Sequence, residues 1–306
     1  MNLEKPVSII LDTDIGPDCD DTGALAICNI LAAQGKVEIL GVMHCTSNVY
    51  GAGCIDAINR FYGHCDIPVG TLKKEGFLVG PEYEKYNRYI TQNYENAYRE
   101  KSAPDALKLY RKILAEQPDS SVDIVAIGPL TNLFDLLNSK PDEYSILDGK
   151  ELVTRKVKRL VTMAGRFETD ENGNLPAEWN ILMDVRSAQG VIHNWPTPVV
   201  FCGFEVGAPV ITGKRLISEC SDSNPVKKAY ELYTSGEGRS SWDLITVIYA
   251  ILGDCGLWGL SPAGKVYIDD EGVSHFSEET DGLHRYMTNI MPVDHIEQHI
   301  ENMLLL

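Results

Sequence analysis

The sequence predicts an α/β fold: one open, mostly parallel, Rossmann-like sheet with helices on both faces and an active site at the carboxyl ends of its strands. Three observations lead there. Short apolar runs alternate with longer stretches of helical periodicity along the 306 residues, the pattern of strand–helix–strand units. The first run, VSIILD (7–12), is β-branched and almost wholly apolar, as a strand buried on both faces must be. Polar clusters follow the apolar runs directly, at the strand ends where open α/β sheets bind ligands.

Taken in order, VSIILD is strand one, and DDTGALAICNILAAQGK supplies a helix that starts near Asp20 and stops at Gly-Lys. VEILGVMHCT (37–46) is strand two, GAGCIDAINRFYGH helix two and IPVG (67–70) a short strand. Residues 72–103 are polar and rich in tyrosine, and read as an insertion between the regular units. APDALKLYRKILAEQ is a helix; SVDIVAIGPLTNLFDLL is a strand, a turn and a helix, with Thr131 and Asn132 expected to cap that helix. VKRLVTMAGR and TPVVFCGFEVG are further strands, AEWNILMDVRSAQGVIHN is the helix between them, and WDLITVIYAILGDC is a long apolar helix. Asp12–Asp21, Ile127–Asn132, Met163–Arg166 and Phe204–Gly207 should converge on one sheet edge. No linker marks a boundary, so a single domain over 1–306 is expected.

Net charge is −17 with a pI near 4.8, which disfavours nucleic acid and anionic membrane, since phosphate contacts need clustered Lys and Arg. No apolar stretch approaches the ~20 residues of a membrane span. The eight cysteines form no CxxC pair and several sit in apolar runs, as free thiols of a reducing compartment do. MNLEKPVSII lacks a basic region followed by a long apolar core, so no signal peptide is read there. A cytoplasmic protein is expected.

LDTDIGPDCDD concentrates the chemistry: Asp12, Asp14, Asp18, Asp20 and Asp21 fall within ten positions. A helix N-terminus favours one or two acids, not five. An EF-hand fails, because its glycine is one place early and no Glu occupies the twelfth position. A haloacid-dehalogenase-type phosphatase also opens on an apolar strand and Asp-x-Asp, with Asp12 as nucleophile, Asp14 as acid–base partner and Mg²⁺ bound. A third reading is a hard divalent cation serving other chemistry; Ca²⁺ accepts irregular coordination by six to eight oxygens and so leaves room for water and a sugar diol.

From residue 7 to the C-terminus the sequence resembles the inosine–uridine nucleoside hydrolase family. Its opening pattern is matched by Asp12, Asp14, Gly16, Asp20 and Asp21, in a loop two residues longer than the shortest versions, which leaves Asp18 without a counterpart. VMHCTSNVYG, VAIGPLTNL, MAGR with GNLPAEWN, and RSSWD follow in family order. The resemblance implies a calcium-dependent N-ribosyl hydrolase that converts a nucleoside and water to ribose and free base. It makes Asp14, Asp21, Asp243 and the main-chain carbonyl of Ile127 the calcium ligands, and Asp14 the general base. Asp20, Asn48, Asn174, Glu178 and Asn180 become substrate contacts, most of them to the ribose. It further implies a homo-oligomer, dimer or tetramer, and a flap over the base formed by the Tyr-rich segment.

The pattern departs at the leaving-group side. Many members carry a histidine before the last metal aspartate; here Trp242 stands there, as in members that prefer purines and stack on the base. His44 and Arg166, near predicted strand ends, are further candidates to approach the base. A non-catalytic calcium-dependent ribose-binding protein is the alternative if that machinery is lost.

Overall fold

The computed structural model of the chain describes residues 5–306; residues 1–4, part of the stretch read for a signal peptide, lie outside it. The strands are β1 (Val7–Thr13), β2 (Val37–His44), β3 (Val69–Thr71), β4 (Val122–Ala126), β5 (Val157–Met163) and β6 (Val199–Cys202), then β7 (Ile211–Thr212), β8 (Arg239–Ser240), β9 (Trp258–Leu260), β10 (Gly264–Ile268), β11 (Ser274–Glu278) and β12 (His284–Asn289). In the main sheet β3, β2, β1, β4, β5, β6 and β12 lie side by side, all parallel. β10 and β11 extend the β12 edge antiparallel, and β9 pairs with β12. β7 and β8 form a separate antiparallel pair.

Alternation along the strands builds a core on each face. In β1, Ile9 and Leu11 pack with the helices Asp20–Ala33, Gly51–Phe61 and Trp242–Leu252. Ile10 points the other way and packs with Ala106–Glu116, Thr131–Asn138 and Val185–Asn194. Period-two side chains on a sheet covered on both sides require this division. The chain leaves β1 for β2 and β3 on one side, then returns to β4 on the other. The crevice between the ends of β1 and β4 is therefore the topological switch point, the favoured ligand position in such sheets.

Three sequence expectations change. The helix expected over 177–194 is two, Trp179–Met183 and Val185–Asn194, broken at Asp184 (φ −153°), whose carboxylate caps the second by accepting from Ser187 N at 3.2 Å. Thr131 and Asn132 do not cap their helix; Thr131 Oγ1 donates to Asp184 Oδ2 at 2.8 Å and Asn132 Nδ2 to Asp12 Oδ2 at 3.0 Å. They brace the floor of the switch point instead. Finally, β9–β12 and the helix Val293–Leu304 occupy a region to which no elements were assigned.

Within 72–103 the chain forms a 3₁₀ turn, Pro81–Tyr83, and a helix, Asn87–Asn93. Tyr86 is wholly buried and its hydroxyl donates to the Asp18 carbonyl. Asn87 Nδ2 donates to Tyr83 O at 3.1 Å and approaches Ile15 O at 3.4 Å. The segment is thus tied to the acidic loop.

Candidate active site

The acidic loop leaves β1 at Thr13 and enters the helix Asp20–Ala33, so Asp20 and Asp21 occupy its first turn. Asp243 stands in the first turn of Trp242–Leu252, which packs beside it. Carboxylate oxygens of Asp20, Asp21 and Asp243 come within 4.8 Å of one another. Asp243 N donates to Asp20 Oδ2 at 3.2 Å, and Thr13 Oγ1 donates to Asp21. Asp14 faces the loop after β4: a Cβ on Gly128 would lie 2.8 Å from Asp14 Oδ1, so only glycine permits this approach. Ile127 N donates to Asp12 O at 2.8 Å, while the Ile127 carbonyl accepts no hydrogen bond among the described residues.

Asp14, Asp20, Asp21 and Asp243 are all buried. Burial, then the charges of their acidic neighbours, pushes each carboxyl well above its ordinary range. Four crowded carboxylates with a free carbonyl beside them are unstable as anions without a cation. Arg239, the one cationic side chain among the described residues on the cavity wall, is engaged by Asp18 (Nε to Oδ1 at 2.9 Å, Nη2 to Oδ2 at 2.5 Å). The donor set, all oxygen and mostly anionic, fits a hard divalent ion.

These groups line one cavity of about 470 Å³. Also on its wall, Glu178 is the N-cap of Trp179–Met183, accepting from Asn180 N at 2.8 Å and Ile181 N at 3.2 Å, with Gly165 N at 3.3 Å. Burial raises its pKa to about 7 in spite of these bonds. Asn180 Nδ2 donates to Met163 O at 3.0 Å, which fixes the amide. Helix capping and a place on the cavity wall are here the same feature.

The remaining wall is largely apolar: Met163, Met183, Trp179, Phe204, Tyr233 and Trp242. Trp242 Nε1 donates to Phe204 O at 2.7 Å, and the two rings lie 5.5 Å apart. Glu82 and Tyr83 reach the wall from the Tyr-rich segment.

Asp14, Asp20, Asp21, Ile127, Glu178, Asn180, Trp242 and Asp243 are thus brought together. Asn48 and Asn174 are not. Asn48 is buried beside the acidic loop, accepting from Tyr50 N at 2.9 Å, and lines a second cavity. Asn174 is exposed in a turn, its N–H donating to Asp170 Oδ1 at 2.8 Å. His44 is wholly buried between Thr46 (3.0 Å) and Thr71 (3.2 Å), and burial lowers its pKa to about 3; it cannot donate a proton to a base. Arg166 lines a neighbouring cavity, with its guanidinium 4.5 Å from the Phe204 ring. Asp12, the nucleophile a phosphatase would need, is off the wall and accepts from Tyr110 (2.8 Å) and Asn132. Arg239, Tyr233 and Met183 were not singled out by the sequence, and Met163 and Phe204 only as ends of stretches expected at this sheet edge. The Asp18–Arg239 contact spans 221 positions, and no local spacing signals it.

Fold and site together define a Rossmann-like α/β protein with a carboxylate-rich, cation-suited cavity at its switch point. The chain belongs to the inosine-uridine preferring nucleoside hydrolase family, whose profile matches residues 9–290. An uncharacterised protein of Schizosaccharomyces pombe is 28% identical over 69% of this chain and 66% of its own length. The pyrimidine-specific ribonucleoside hydrolase RihA of Citrobacter koseri is 37% identical over 33% of this chain. The chain therefore matches less than two thirds of either relative, 28% in the case of RihA. The crystal structure of an inosine-uridine preferring nucleoside hydrolase from Bacillus anthracis superposes with a TM-score of 0.72 at 17% identity, covering 97% of this chain and 99% of that one; at that identity the likeness is one of fold. All eight cysteines are free thiols. No helix among the described residues is long and apolar enough to cross a membrane.

Proposed function

We propose that the protein hydrolyses the N-glycosidic bond of ribonucleosides to ribose and free base, with calcium held by Asp14, Asp21, Asp243 and the Ile127 carbonyl. The observation that carries this reading is the meeting, in one cavity, of the buried carboxylate cluster with Glu178 and Asn180. Bound calcium supplies Lewis acidity that lowers the pKa of a water and orients sugar hydroxyls. Asp14 takes the proton of the attacking water as general base. Asp20 and Asn180 hold ribose hydroxyls, and the charge of Glu178 faces the ribosyl cation that develops as the bond stretches. Asn48 and Asn174 join the substrate only if their loops close over it. The Tyr-rich segment, with Tyr83 already at the wall, is read as the flap that excludes water. One domain spanning 1–306 carries this chemistry. A cytoplasmic location agrees with the free thiols, and a homo-oligomer, dimer or tetramer, rests on the family alone.

Trp242 and its apolar neighbours favour purine-type activation by stacking, although RihA, by its name, takes pyrimidines. Trp242→Ala should weaken purine nucleosides most, by about 1–3 kcal/mol per stacked base; equal losses on every base would reduce Trp242 to packing. The activity itself is tested with a nucleoside panel read by reducing-sugar release, with and without chelator. Ribose release that chelator abolishes is expected. Binding without turnover would favour a binding protein, and phosphate release from phosphomonoesters a phosphatase.

A further inference from the structure

Departure of the base requires that the electron pair of the breaking C1′–N bond be stabilised. Among the described residues no histidine lines the cavity: His44 is sealed between two threonines, and Trp242 donates its indole N–H to Phe204 O. Among the described residues lining the cavity, Arg239 is the cationic one, beside Trp242, Tyr233, Glu82 and Tyr83. Its backbone is fixed in β8, paired with β7 through Thr212, three residues before Trp242. Its guanidinium lies 5.1 Å from the Trp242 ring and 5.5 Å from the Tyr233 ring. Asp18 grips Nε and Nη2, while Nη1 makes no hydrogen bond to any described residue. Asp18 is in turn held by the Tyr86 hydroxyl on its carbonyl.

We propose that Arg239 is the leaving-group residue of this hydrolase: Nη1 donates to an acceptor on the departing base, and Asp18, in the lengthened acidic loop, is the positioning residue that sets its orientation. The inference rests on the hydrolase reading. A guanidinium keeps its protons at any working pH, so Arg239 acts by charge and hydrogen bonding and not as an acid. In the balanced step, the C1′–N pair goes to the base while water oxygen bonds to C1′ and passes its proton to Asp14. The base, stabilised by Arg239 as it leaves, takes its proton from solvent. The substrate class follows: nucleosides whose base presents a carbonyl oxygen or ring nitrogen toward the Trp242–Tyr233 wall.

The test compares nucleosides with p-nitrophenyl β-ribofuranoside, whose phenolate needs far less help to leave. Arg239→Gln should lose ~100-fold in kcat on nucleosides, the scale of one lost preorganised donor, and roughly 10-fold or less on the aryl riboside. Arg239→Lys, which keeps the charge without the fork, should fall between. Asp18→Asn should lower the same nucleoside-to-aryl ratio with less effect on kcat for the aryl riboside, which a purely structural role would not do. Turnover of the aryl riboside also shows that each variant is folded. Equal losses on both substrates, or an unchanged ratio in Arg239→Gln and Asp18→Asn, would overturn the assignment. A wild-type protein that cleaves neither substrate would instead overturn the hydrolase reading beneath it.

Discussion

Replacing Asp14 with asparagine lowers kcat for ribose release by at least ~100-fold, the lower end for a lost general base. The substitution keeps the side chain's volume and so should leave the packing against Gly128 intact. What it removes is the proposed proton acceptor, a carboxyl that burial and the charges of Asp20, Asp18 and Glu178 hold well above its ordinary range in the metal-free protein. An amide at that position cannot accept the proton of an attacking water. Because Asp14 is also assigned to the cation, the measurement needs a calcium titration at saturating nucleoside. A variant that reaches its plateau at higher calcium yet still turns over slowly has lost the base. One that regains near-normal kcat at high calcium has lost only a ligand, and Asp14 would then not be the base.

The same residue illustrates how much of the site was legible in the sequence. Asp14, Asp20 and Asp21 are local: a β-branched run fixes the strand, the helix start fixes the pair, and the switch-point rule places both at the ligand crevice. Ile127, Glu178, Asn180 and Asp243 were named by the resemblance to the nucleoside hydrolase family; the alternation by itself places only Ile127 among them, in the stretch Ile127–Asn132, at the same sheet edge. Asn48 and Asn174 show the limit, since motif order locates a loop but not the direction of its side chains. Asn174's N–H is held by Asp170 in an exposed turn, and Asn48 is held by Tyr50 N. Arg239 was missed because its role depends on a partner 221 positions away and on two rings from different elements. The parallel core of the sheet was readable from its apolar runs. The β10–β11 hairpin alternates buried and exposed residues along GKVYI, but its pairing with a parallel edge strand depends on tertiary context.

Stripping the cation should abolish ribose release and lower thermal stability, and the stability loss should grow with pH. The sign follows from the carboxyls of Asp14, Asp20, Asp21 and Asp243, all raised above the ordinary 3.8 by burial and mutual repulsion. Without the ion, the folded protein binds more protons than the unfolded chain above pH 3.8. Stability is therefore lost as pH rises through that range, and Glu178, raised from 4.5 to about 7, extends the loss to neutrality. In the proposed site calcium would bind the ionised carboxylates in competition with those protons, so its stabilisation should be larger at pH 8 than at pH 5. At calcium about 100-fold above its Kd, a single site adds about 2.7 kcal/mol. Thermal melts of chelator-treated protein at both pH values, with calcium restored, measure the difference; magnesium at equal concentration should stabilise less, because its stricter octahedral geometry suits this irregular oxygen set poorly. Identical melts with and without calcium at pH 8, together with full activity in chelator, would leave the carboxylate cluster with no ion to hold and remove the basis for the proposed chemistry.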